Sequence, residues 1–71
     1  MANAHLTPGS TVVFHGNSPW PDDTKRAILI LEIGKEYKVS RIDAGGIFTS
    51  IELESLPYKW FNSCMFTRKH N

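Results

Sequence analysis

Seventy-one residues carry eight Lys and Arg against seven Asp and Glu, a formal net charge of +1, with 41% hydrophobic and 21% charged content. A chain of this size holds one domain with a small core, and its near-neutral balance excludes a strong general field for nucleic acid or membrane. A single cysteine, Cys64, excludes an internal disulfide framework, and the longest apolar run, Ala27 to Leu31, is too short to span a bilayer.

In chain order, residues 1–8 read as a loose arm that runs into a turn at Thr7-Pro8-Gly9. The β-branched and aromatic run Ser10-Thr11-Val12-Val13-Phe14-His15, bounded by Gly9 and Gly16, then predicts a first strand with Val12 and Phe14 facing the core. From Gly16 to Arg26, prolines at positions 19 and 21 predict a long irregular loop holding Trp20, Asp22, Lys25 and Arg26. Long loops in small domains often carry binding residues, and these four are candidates for partner contact; the competing role for Trp20 is to cap the core. Ala27-Ile28-Leu29-Ile30-Leu31-Glu32-Ile33 fits a helical turn or a buried strand, and its β-branched content favours an extended segment ending at Gly34. Any of Ile28, Ile30 and Ile33 left uncovered would form an association patch.

The clearest structural signal runs from Gly34 to Leu53. Tyr37 to Ile42, then Asp43-Ala44-Gly45-Gly46, then Ile47 to Leu53 predicts a β-hairpin, with the two glycines supplying positive φ angles at the reversal. Tyr37 and Val39 share a face, Ile42 falls out of phase, and a β-bulge at Ser40-Arg41 would return it to the core. On the returning strand Thr49, Ile51 and Leu53 face inward, with Ser50, Glu52 and Glu54 on a wet face. Pro57 ends that strand, and Tyr58-Lys59-Trp60-Phe61 resumes an extended pattern. Asn62-Ser63 predicts a turn or a single 3₁₀ turn, Cys64 to Thr67 a last short strand, and residues 68–71 a loose tail.

The expected fold is therefore all-β: a small SH3-like barrel of about five strands, with a long first loop and a short 3₁₀ turn before the last strand. Its core is expected to be Val12, Phe14, Leu31, Tyr37, Val39, Ile42, Ile51, Leu53, Phe61, Met65 and Phe66. Leu31 with Gly34-Lys35, Tyr37 and Val39, then Ile51-Glu52-Leu53, Pro57, Phe61-Asn62-Ser63 and Phe66, resembles a group of small proteins encoded by phages and prophages. The similarity spans Val12 to Thr67, and the Gly16 to Arg26 loop has no match to the pattern. The resemblance implies an SH3-like barrel and a cytoplasmic setting in a bacterial cell, with no particular activity. Phage proteins of this size outside the virion commonly bind a host protein, defence components included.

Nothing in the residues assembles a catalytic set. Cys64 and His15 are the only nucleophile and base available, and Cys64 is expected to be a partly buried, inert thiol, so no enzyme is expected. His5, His15, His70 and Cys64 lack paired ligand spacing, and Asp22-Asp23 lacks further oxygen ligands, so no metal or other cofactor is expected. Tyr58 and Trp60, with Trp20 and an arginine nearby, supply residue types that dominate protein interfaces, and a groove between Trp20 and Trp60 would accept a partner's loop. The expected partner is a host protein. The alternative is a nucleic-acid-binding barrel using Lys38, Tyr58, Lys59 and Trp60, opposed by outward Glu36, Glu52 and Glu54. Homo-oligomerisation through residues 28–33 or an open sheet edge is a third reading.

Overall fold

The computed structural model describes residues 6–45 and 49–69. Five strands, β1 (Thr11–Phe14), β2 (Glu36–Asp43), β3 (Ser50–Leu53), β4 (Leu56–Asn62) and β5 (Phe66–Arg68), form one antiparallel sheet in the order β4-β3-β2-β1-β5. A helix, α1 (Pro21–Ile28), follows β1, and a 3₁₀ turn (Ser63–Met65) precedes β5. The all-β class, the strand count and the 3₁₀ turn agree with the sequence reading. Among the described residues no helix is long and apolar enough to cross a membrane.

Every expected core residue is buried except Ile42, which is partly buried and packs against the cluster, and Ala27 joins it from α1. Phe66 ties the two ends of the sheet together, with ring centroids 5.4 Å from Phe14 and 6.3 Å from Phe61. Buried Tyr37 keeps its hydroxyl satisfied by accepting from the Glu32 N–H at 2.9 Å.

The loop expected over Gly16 to Arg26 contains a helix instead. Pro21 sits at its start, where a missing N–H costs nothing because the first turn has no carbonyl to receive it. Asp22 and Asp23 lie in the first turn and Lys25 and Arg26 in the last, which complements the helix dipole. Pro21, which argues against a helix interior, thus opens one. The helix also corrects the extended segment expected over residues 27–33: Ala27 and Ile28 end α1, and the N–H groups of Ile30 and Leu31 both donate to the Ala27 carbonyl. Leu31 then turns into the core, while Gly34, at φ +88°, provides the left-handed residue that lets its N–H reach the Phe14 carbonyl at 2.7 Å.

The bulge in β2 is present, with the register shifting between Val39 and Arg41. At the reversal, Asp43 Oδ1 accepts from the Gly45 N–H at 3.0 Å. Gly45 is not among the described glycines with positive φ, so the side chain of Asp43 rather than Gly45 sets this bend. Gly46, Ile47 and Phe48 lie outside the described residues, as do residues 1–5 and 70–71. Of the ends expected to be loose, Leu6 packs against the core, Arg68 lies within β5, and Lys69 donates its N–H to Thr11 and pairs with Glu36. Cys64 is exposed rather than partly buried, because the 3₁₀ turn directs Met65 inward.

Candidate functional site

Two side-chain clusters lie along β4. The first is built on Glu52, which is only 5% exposed although the alternation placed it on a wet face. The physical reason is a pair of register irregularities on either side of it. In β2 the extra residue Ser40 brings both Ser40 and Arg41 over Glu52. In β4, Trp60 pairs with Glu52 but Leu56 pairs with Leu53, so Pro57, Tyr58 and Lys59 bow out between them. As an edge strand β4 tolerates both the proline and the bow.

The Glu52 carboxylate is consequently saturated with donors. Arg41 Nε and Nη2 donate to Oε1 and Oε2 at 2.7 and 2.8 Å, Ser40 Oγ donates to Oε1 at 3.0 Å, and the Tyr58 N–H donates to Oε2 at 2.7 Å. The Arg41 hydrogen bond, and next the Tyr58 N–H, hold the Glu52 carboxyl at about 2, below the ordinary 4.5, against an opposing effect of burial. Arg41 is raised in turn, chiefly by its hydrogen bond to Glu52. Its guanidinium lies 5.3 Å from the centroid of the Trp60 ring, so one arginine locks Glu52 and stacks on Trp60. Tyr58 stands at φ 68°, the only described non-glycine residue with positive φ, and is 87% exposed.

The second cluster is a cleft of about 340 Å³ between α1 and β4. Ala27, Ile30, Phe61 and Met65 supply apolar lining, with Trp60, 46% exposed, beside them. Arg26 and Lys59 bring positive charge, and Arg26 Nη2 holds Asp23 at 2.6 Å. Lys59 belongs to none of the ion pairs among the described residues.

Asn62 also lines the cleft and is 5% exposed. Its Oδ1 accepts from the Cys64 N–H at 3.1 Å, capping the 3₁₀ turn. That bond fixes the amide's orientation and leaves Nδ2 as a buried donor with no partner among the described residues. A donor left in this state costs about 1–3 kcal/mol, which an acceptor in the cleft would recover.

Of the residues singled out in the sequence, the cleft brings Arg26 and Trp60 together, with Lys59 from the nucleic-acid reading. Tyr58 lies on the adjoining bow, while Asp22 and Lys25 are exposed on α1 outside the lining. Trp20 is the N-cap residue of α1, 41% exposed and likewise outside the lining, so the groove expected between Trp20 and Trp60 is formed instead by Ile30 and Trp60. Ile30 was foreshadowed by the apolar run after Arg26. Asn62 had no comparable signal, since a turn asparagine reads as a local cap whether or not its amide nitrogen finds a partner.

Neither the curated proteins nor the solved structures contain a match to this chain. A family described as Bacteriophage T4 protein Y07B matches residues 10–71, which includes α1, all five strands and the described residues that line the cleft. The chain belongs to the bacteriophage T4 protein Y07B family.

Proposed function

We propose that this phage protein is a non-enzymatic binding module that modulates a bacterial host protein, a defence component being one such target, by direct contact through the α1–β4 face. The observation that carries this reading is the convergence of Arg26, Ile30, Lys59 and Trp60 on one cleft. Arginine and tryptophan are the residues most enriched at energetic centres of protein interfaces, and the exposed aliphatic side chains Ile28 and Leu29 extend the surface beyond the cleft. An SH3-like barrel is the architecture we assign to the sheet, on its strand order and the 3₁₀ turn before β5. The bacterial cytoplasm is where such contact takes place.

Nucleic-acid binding is the second reading, favoured by one observation. Glu52 is covered by the β4 bow and neutralised by Arg41, which removes one of the carboxylates that would repel phosphate near Lys59 and Trp60. A tagged-protein pull-down from bacterial lysate, with and without nuclease, separates the two. The protein-directed reading predicts a host protein retained through nuclease and lost with Trp60→Ala. Recovery that disappears with nuclease overturns it in favour of nucleic acid.

A further inference from the structure

Building on that binding reading, we infer that the α1–β4 cleft recognises an acidic peptide segment of the partner, in which an apolar side chain is adjacent to a carboxylate. The unengaged polar groups facing this cleft are unequal in kind. Among the described residues Asn62 Nδ2 is a buried donor without a partner, and Lys59 is a cation outside the ion pairs. The carboxylate in the lining, Asp23, is already held by Arg26 at 2.6 Å. With Asp23 paired to Arg26 through Oδ1, and with the Ser50 hydroxyl able to donate or accept, Lys59 and the Asn62 amide leave the lining with a surplus of one cation and one buried donor, which selects a ligand that brings acceptors and negative charge.

The remaining lining decides what carries that charge. Ala27, Ile30, Phe61 and Met65 are matched by an aliphatic or aromatic side chain, not by a sugar-phosphate chain. A polynucleotide would also need a track of cations, whereas Arg26 and Lys59 are the only cations that line the cleft among the described residues and the whole chain carries a net charge of only +1. In the bound arrangement the apolar side chain lies between Ile30 and Trp60, a carbonyl or carboxylate oxygen accepts from Asn62 Nδ2, and the carboxylate pairs with Lys59.

Titration of the ¹⁵N-labelled chain with blocked hexapeptides containing Leu-Asp or Phe-Asp, matched Leu-Asn and Leu-Lys peptides, and an oligothymidylate provides the test. The acidic peptides are expected to move the Asn62 side-chain amide and Trp60 indole signals. They should bind roughly tenfold more tightly than the asparagine peptides, as a charged contact requires. Lys59→Gln, a substitution at an exposed position, is expected to abolish that preference, so that acidic and asparagine peptides bind alike. Asn62→Asp, which keeps the oxygen that caps Cys64 and replaces the donor with an acceptor, is expected to weaken the acidic peptides further. Equal binding of acidic, neutral and basic peptides, or preferential movement of the same signals by the oligonucleotide, overturns the inference. A host protein captured by the wild type, lost in Trp60→Ala but undiminished by excess acidic peptide, overturns it too while leaving the binding reading intact.

Discussion

Replacing Tyr58 with glycine should stabilise the protein, although it deletes a large aromatic side chain. Tyr58 is held at φ 68° so that its N–H reaches Glu52 Oε2 at 2.7 Å. A left-handed conformation costs an L-residue roughly 1–2 kcal/mol, and glycine is free of that cost while retaining the N–H. Against this, glycine loses about 0.5–1 kcal/mol of additional chain entropy on folding. The side chain itself is 87% exposed and has little burial to lose. The net expectation is a gain of about 0.5–1 kcal/mol, or a rise in Tm of roughly 2–8 °C for a domain of this size. Tyr58→Ala keeps the strained angle and should stay within about 0.5 kcal/mol of the wild type. Urea denaturation of the three proteins, with unchanged m-values, measures the differences. A glycine variant less stable than the alanine variant would refute the reasoning, since it would mean that the positive φ carries no strain to relieve. If the gain appears together with weaker partner binding, β4 sacrifices stability to display an aromatic residue at its interface.

Other consequences concern the cluster beneath Tyr58 and the core. Because the Glu52 carboxyl is depressed to about 2 from an ordinary 4.5, its stabilising contribution is complete above the unfolded value and is lost as pH falls through the folded one. Wild-type urea midpoints should therefore fall between about pH 5 and pH 2, and Glu52→Gln should lower the plateau above pH 5 and flatten that decline. An unaltered acid profile in the variant would assign the transition to other carboxylates. Met65→Ala empties a fully buried position behind the cleft and is expected to cost about 2–5 kcal/mol in urea denaturation, a large fraction of the stability of so small a domain. A cost below about 1 kcal/mol would show that α1 and the 3₁₀ turn collapse into the space.

Much of the sheet was legible because two-residue alternation survives wherever one face is buried. Val12 with Phe14, Tyr37 with Val39, and Ile51 with Leu53 each reach the core in the expected phase, and the bulge was readable from the phase error of Ile42. The same rule failed at Glu52, because alternation assigns a face but cannot tell whether a neighbouring strand bows over that face. That depended on the Pro57 to Lys59 bow and on Arg41 supplying the compensating charge. The helix was obscured by weighing Pro19 and Pro21 only as breakers, although Pro-Asp-Asp followed by Lys-Arg is also a helix opening with its dipole complemented at both ends. Within the site, Arg26 and Trp60 were readable as interface-type residues. Ile30 was readable as one of the apolar residues left uncovered, but not its place beside β4, which the helix sets, and Asn62 was not readable at all, since the 3₁₀ cap is what commits one end of its amide.

Contact between the α1–β4 face and a host protein, as proposed, is tested by site-specific photocrosslinking in bacterial cells. A photoreactive residue at Ile30, in the cleft, is compared with one at exposed Thr67, on the opposite edge strand β5. A discrete crosslinked host protein is expected from position 30 that is absent from position 67 and disappears when Trp60→Ala is added. Equal crosslinking from both positions, or crosslinks from position 30 to nucleic acid alone, would contradict the proposed contact.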